Sequence, residues 1–155
     1  MRIALCICPQ WSVQTPSFAI GSLKSHINNK DVVVEQIDLN ILSSIYTKEK
    51  NIEKFWDWGN DTPWNSETNF QTEILPYFKD LWHEYIEILS TYDIVAFTTY
   101  TSNIITTDYI ARYVKQINPK IQIWYGGPYS WYSECGGLVE KDNYREFVDI
   151  ACGSN

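Results

Sequence analysis

Three short, nearly unbroken hydrophobic runs set the strongest constraint on this chain: RIALCI (2–7), IVAF (94–97) and IQIWY (121–125). A strand that shows one face to water alternates apolar and polar residues. A run without that alternation reads as a strand covered on both faces. Such strands belong to parallel sheets with helices packed on either side. Two more runs, VVVEQIDL (32–39) and Phe147 to Ala151, bring the expected count to about five.

Helical patterns lie between them. Thr15-Pro16 reads as a cap followed by a first-turn proline. Ala19, Ile20, Leu23 and Ile27 then recur at helical spacing, and Asn28-Asn29 stops the pattern. Ile105, Tyr109, Tyr113 and Ile117 step by four with Ile110 and Val114 beside them, and Asn118-Pro119 ends that helix. The connection from Asn40 to Thr91 far exceeds a usual loop. Its first part (ILSSIYTKEKNIEKFW) is weakly helical, and its middle (DWGNDTPWN) is rich in turn residues. Its last part is a strong helix through Ile74, Phe78, Leu81, Trp82, Tyr85, Ile88 and Leu89, with Pro76 in the first turn or at a kink. The expectation is an α/β, flavodoxin-like or Rossmann-like doubly wound sheet. It forms one domain over 1–155, with a helical insertion over 41–91.

Composition narrows the partners. The chain has 155 residues and a formal net charge of −7. Nucleic acid and anionic membranes call for a basic footprint, so neither is expected as a partner. No stretch reaches the roughly 20 apolar residues of a membrane span, and the N-terminus MRIALCIC does not read as a signal peptide. A cytoplasmic protein is the resulting expectation. Cys6, Cys8, Cys135 and Cys152 form no C-x-x-C pair and no zinc spacing, so free thiols are expected. Aromatic residues are abundant at 15%, including seven Trp and eleven Tyr. They suit a ring-rich core and surface, or a broad ring-lined ligand site.

In a doubly wound sheet, ligands sit beyond the carboxyl ends of the strands. Those ends are CPQW (8–11), DLN (38–40), TTYTSN (98–103), YGGPY (125–129) and CGSN (152–155). Several chemistries fail there. The loop CPQWSVQTPS has no glycine, so it holds neither a G-x-G-x-x-G fingerprint nor a P-loop. The acidic set of a phosphoacceptor receiver is missing. The two histidines, His26 and His83, lie inside helices and offer no Ser–His–Asp set. What remains is polar and uncharged: Thr98, Thr99, Thr101, Ser102, Asn103 and Ser154. Such groups suit a neutral, amide-rich ligand, although Thr101 or Ser102 could instead cap the next helix. Asp38 could meet a ribose hydroxyl, or serve as a turn or cap residue. The double glycine, Gly126-Gly127, serves either a turn that needs glycine angles or the close approach of something bulky to bare backbone.

Taken in order, these motifs resemble the cobalamin-binding domain at the N-terminus of many radical S-adenosylmethionine enzymes. The matching stretches are PSFAIGSL (16–23), DLN (38–40), DIVAFTTYTSNIITTDYIARYVKQINP (93–119), IQIWYGGP (121–128) and EFVDIACG (146–153). The resemblance implies a corrin ring lying over the strand ends, with its nucleotide tail entering the domain. The cofactor-binding set it implies is Gln10, Trp11, Asp38, Asn40, Thr98, Thr99, Tyr100, Thr101, Ser102, Gly126, Gly127, Pro128, Tyr129 and Gly153. Gly126 and Gly127 would admit close approach, and Thr98 to Ser102 would border the tail. Related mutases carry D-x-H-x-x-G after the first strand. Here that loop has no His, so no histidine ligand to cobalt is expected, and Gln10, Trp11 or Val13 would face the lower side. The C-x-x-x-C-x-x-C motif of the [4Fe–4S] cluster is also absent from the sequence. The cluster and S-adenosylmethionine would then belong to a downstream radical domain, this chain being an N-terminal fragment without activity of its own. The other reading is a degenerate Rossmann-like structural or substrate-docking module without cobalamin. In that reading FWDWGNDTPWN (55–65) is the contact surface.

Overall fold

The computed structural model describes residues 1–14, 17–27, 29–56, 62–131 and 147–152. The chain opens with β1 (Arg2–Ile7) and α1 (Phe18–His26), followed by β2 (Val33–Asp38) and α2 (Leu39–Lys50). A 3₁₀ turn at Glu53–Trp56 leads to the short helices α3 (Thr62–Asn65) and α4 (Glu67–Asn69). A π turn at Phe70–Ile74 then enters α5 (Leu75–Leu89). The remainder is β3 (Ile94–Thr98), α6 (Ile104–Ile117), β4 (Gln122–Gly126), α7 (Pro128–Trp131) and β5 (Ile150–Ala151). The strands form one five-stranded sheet in the order β2-β1-β3-β4-β5, and every pairing is parallel. This is the expected doubly wound α/β architecture. The order reverses between β1 and β3, where such folds open a crevice beyond the strand ends.

The two faces of the sheet are covered unequally. Ala4, Cys6, Val95, Phe97, Ile123 and Tyr125 point into the larger core, together with Leu39, Phe70, Ile74, Phe78, Trp82, Leu89, Ile110 and Val114. The opposite face packs Ile3, Leu5, Ile7 and Ile94 against Ile20, the one buried side chain of α1. Leu23 of that helix is 52% exposed and Phe18 85%. Helical spacing therefore marks α1 correctly, but only one of its apolar positions reaches the sheet.

The stretch read as a helical insertion supplies seven of the buried residues of the main core, from Trp64 to Leu89. Trp82 lies stacked between Phe70 (5.8 Å, 5°) and Phe78 (5.1 Å, 12°). Its indole N–H donates to Ser43 Oγ of α2 at 3.0 Å. Trp64 is buried against Trp56, Phe78 and Trp82. The weakly helical first part is in fact a full helix of 12 residues, capped by Asp38 and stopped at Asn51 in the left-handed region (φ 55°). Its polar inner face, Asn40, Ser43, Ser44 and Thr47, hides it from a search for hydrophobic periodicity. Pro76 sits in the first turn of α5, directly after the π turn.

Two boundaries shift. The row Ile105-Tyr109-Tyr113-Ile117 does not face the core throughout, because Tyr113 and Ile117 are exposed. The buried stripe of α6 runs through Ile104, Thr107, Ile110, Ala111 and Val114. The fifth strand is paired only over Ile150–Ala151, while Phe147 and Val148 are buried ahead of it. Asp149 secures this return: its carboxylate accepts from Ile123 N–H at 2.8 Å and pairs with Lys115 Nζ at 2.8 Å.

Truncating Trp82 to Ala opens a large cavity and orphans the Ser43 hydroxyl. The expected loss is about 3–5 kcal/mol, read from the urea midpoint at unchanged slope. Burial, and then Tyr113 beside it, push the Tyr109 phenol from its ordinary 10.0 up to about 12. A folded pKa above the unfolded one stabilises the fold at lower pH, and that contribution is lost as pH climbs from 10 to about 12. Urea midpoints measured across that window should fall less steeply for Tyr109→Phe than for the parent.

Candidate functional site at the strand ends

The carboxyl ends of β1, β3 and β4 meet in a dense set of hydrogen bonds, with Asn103 at its centre. Asn103 is fully buried. Its Nδ2 donates to Thr98 O at 3.0 Å and to Cys8 O at 3.3 Å, and its Oδ1 accepts from Tyr100 N–H at 2.8 Å. One carboxamide thus joins the end of β1 to the end of β3. Beside it, Ser102 Oγ donates to Gln10 O at 2.8 Å, and Gln10 N–H returns a bond to Ser102 O at 3.4 Å. Neither Thr101 nor Ser102 is the helix cap. Asn103 holds that position, without a side-chain cap bond, and its carbonyl accepts from the N–H and hydroxyl of Thr107. The TTYTSN run shows a polar strand end but not which member turns inward.

The double glycine follows the same logic. Gly127 has φ +105°, a conformation that side chains rarely adopt. A Cβ there would lie 2.7 Å from Thr99 O and 3.0 Å from Thr99 N. At Gly126 the nearest contact would be an ordinary 3.9 Å to Cys152 Cβ. Bare backbone is needed at Gly127, and the group that approaches it is Thr99 of the same chain. Thr99 donates to Gly126 O through both its N–H and its hydroxyl, and its carbonyl accepts from Tyr129 N–H at 3.1 Å. Pro128 begins α7 directly after this turn.

Asp38 and Asn40 also serve the fold. Asp38 Oδ1 accepts from Ile41 N–H at 2.8 Å as the cap of α2. Burial raises its carboxyl pKa, and the backbone bonds from Ile41 and Asn40 pull it back. Asn40 Oδ1 accepts from Trp11 N–H at 2.9 Å. That bond presents Trp11 to Tyr100, and the rings stack at 4.1 Å and 18°. Both rings are half-buried, and desolvation raises the Tyr100 phenol. Thr101 and Val13 are exposed nearby in sequence. Cys6 is fully buried, and desolvation, then Cys8 beside it, hold its thiol well above the ordinary range. It is therefore no nucleophile at neutral pH.

The structure thus gathers Gln10, Trp11, Asn40, Thr98, Thr99, Tyr100, Ser102, Gly126, Gly127 and Tyr129 at one end of the sheet. Asp38 lies at the edge of this group, and Gly153 lies outside the described residues. Both histidines are engaged elsewhere: His26 Nδ1 meets Ser22 O at 2.8 Å, and His83 Nε2 meets Tyr109 Oη at 3.1 Å. No group of three or more His, Cys, Asp or Glu side chains suited to a metal exists among the described residues. No helix among them is long and apolar enough to cross a membrane. Within the tryptophan-rich stretch, Trp64 is buried, Trp56 is half-buried and Trp58 lies outside the described residues. The buried indole of Trp64 makes it a core residue rather than a docking contact.

Comparison with known proteins adds to the fold alone. No family model and no curated protein matches the chain. A solved structure that does match is the crystal structure of Smu.1420 from Streptococcus mutans UA159. It shares 10% identity, with a TM-score of 0.50, over 99% of this chain and 86% of the other. At that identity the match speaks for the α/β architecture and says nothing of a ligand.

Two substitutions separate scaffold from ligand effects. Asn103→Ala strands buried partners on two strands and should cost roughly 1–3 kcal/mol for each orphaned group, read by thermal unfolding. Gly127→Ala should destabilise the chain by at least about 1–2 kcal/mol with no ligand present, from its positive φ alone. The Thr99 collision adds to that cost, whereas Gly126→Ala should be far milder.

Proposed function

We propose that this chain is a cobalamin-binding accessory domain, whose activity belongs to a radical S-adenosylmethionine enzyme of which it forms part. The observation that carries the reading is the Trp11–Tyr100 stack, held in place by Asn40 and set beside an uncharged, backbone-rich strand end. A corrin macrocycle is broad, flat and edged with amides. It is served by aromatic surface and neutral hydrogen-bonding groups more than by charge. The stack would support its edge. Exposed Thr101 would meet its amides. Cobalamin, when bound, supplies a cobalt centre that carries a methyl group or tunes radical chemistry. The chain's own part is to hold and orient it. With both histidines engaged elsewhere, the reading requires cobalt without a histidine ligand.

A second reading has its own support. The polar groups at the strand ends are largely satisfied by one another, as Ser102–Gln10, Asn103–Thr98 and Thr99–Gly126 show. A structural or docking module that has no cofactor needs nothing more.

Titration with hydroxocobalamin, followed by visible absorption and gel filtration, separates the two. The cobalamin reading expects co-elution and a base-off spectrum. It also expects exposed Thr101→Arg to weaken binding by roughly tenfold or more, about 1.4 kcal/mol, while thermal unfolding stays unchanged. A folded chain that leaves both the spectrum and the cobalamin elution volume unchanged supports the second reading.

A further inference from the structure

Beyond the strand ends, the main core contains a continuous line of oxidisable rings. Trp56 and Trp64 stand 5.3 Å apart between ring centroids, Trp64 and Trp82 6.4 Å, and Trp82 and Tyr109 6.1 Å. Tyr109 lies 4.8 Å from Tyr113. Trp64 and Trp82 are buried, Trp56 is half-buried, and Tyr113 is 38% exposed. The line therefore starts near solvent, crosses the core and returns to the surface on α6.

Indoles and phenols are, with thiols, the side chains that give up one electron most readily. Rings nearly in contact exchange electrons quickly. A phenol, however, is oxidised easily only if its proton can leave at the same time, which demands a base at hydrogen-bond distance. His83 Nε2 stands 3.1 Å from Tyr109 Oη and meets that demand in the tautomer that carries its proton on Nδ1. Along the buried part, Trp82 N–H faces the hydroxyl of Ser43, a poor base. A Trp82 radical cation would keep its proton there and remain strongly oxidising. Driving force thus points from Trp82 toward Tyr109. Packing alone accounts for the stacked phenylalanines around Trp82, but it does not call for a base at the one phenol in direct line with that indole.

We propose that Trp56, Trp64, Trp82 and Tyr109 form a relay that carries an oxidising equivalent through the core to the Tyr109–His83 pair and on to Tyr113. A one-electron oxidant, such as an oxidising radical at Trp56, takes one electron and is reduced. Electrons then move from Trp64 to Trp56, from Trp82 to Trp64 and from Tyr109 to Trp82. The Tyr109 proton passes to His83 Nε2, leaving a neutral phenoxyl radical and an imidazolium. Tyr113 restores Tyr109 by giving it one electron and one proton, so the radical ends on an exposed phenol. The proposal is independent of what binds at the strand ends.

The test is flash photoionisation of tryptophan in the folded 155-residue chain, with hexaamminecobalt(III) capturing the ejected electron. The Tyr100→Phe background is used throughout, because the Trp11–Tyr100 stack would give a separate signal. Transient absorption should show the indolyl signal decaying as a phenoxyl signal rises. Tyr109→Phe should remove that rise and the oxidation products found at Tyr113 by peptide mapping. His83→Leu should slow the rise several-fold and abolish its slowing in deuterated solvent. Circular dichroism confirms that each variant is folded. Absence of a phenoxyl rise in the parent, or a rise of unchanged rate and amplitude in folded Tyr109→Phe, overturns the relay. An unchanged rate in folded His83→Leu overturns the role given to His83.

Discussion

The carboxamide of Asn103 is the joint on which the upper end of the molecule depends. β1 and β3 are neighbours in the sheet but distant in sequence, and beyond their last ladder bonds the two chains must diverge. One buried side chain, fixed to the β3 end by bonds with Thr98 O and Tyr100 N–H, holds them together there through its third bond, to Cys8 O. With that joint set, Ser102 can reach Gln10 and Tyr100 can lie against Trp11. Thr99 can then meet Gly126 on the far side. The arrangement that any ligand would meet is thus a by-product of how the parallel strands are tied off.

Gly127 shows how one residue can satisfy two different expectations. Bare backbone beside a strand end invites the idea of a large ligand lying against it. The 2.7 Å approach of Thr99 O to a Cβ at that position accounts for the glycine without one. Nothing in the local sequence could distinguish these, because the partner that needs the space is 28 positions away on another strand. The same holds for Asp38 and Asn40. Asp38 suits a ribose hydroxyl and Asn40 a cofactor amide, yet their carboxylate and carboxamide close a helix end and a loop.

What was legible in the sequence follows from which signals are local. Hydrophobic runs without alternation identified β1, β3 and β4, since burial on both faces leaves its mark within each strand, whereas the edge strands β2 and β5, with no buried residue, gave weaker apolar runs. The connection after β2 was harder. Four of the five buried residues of its first helix are serine, threonine and asparagine, so α2 lacks the stripe that would announce it. The inner orientation of Trp64 and Trp82 arises only when α2, α5 and α6 close around them. At the strand ends, residue types pointed to the right region. Which of Thr101, Ser102 and Asn103 turns inward depends on contacts with Cys8 and Gln10, more than 90 positions earlier.

The unequal cover of the two sheet faces bears on how the molecule breathes. On one side, α2, α5 and α6 interlock through large rings, and none can move without disturbing the others. On the other, α1 rests on the sheet with Ile20 as its one buried side chain. Sub-global opening of a native protein begins where the fewest apolar contacts must be broken. Detachment of α1, which buries no side chain but Ile20, is therefore a cheap excursion for this fold. It would bare Ile3, Leu5 and Ile7 while leaving the sheet and its stapled upper end intact. Amide exchange would then be graded across a single sheet, with one side acting as a hinged cover over a rigid body.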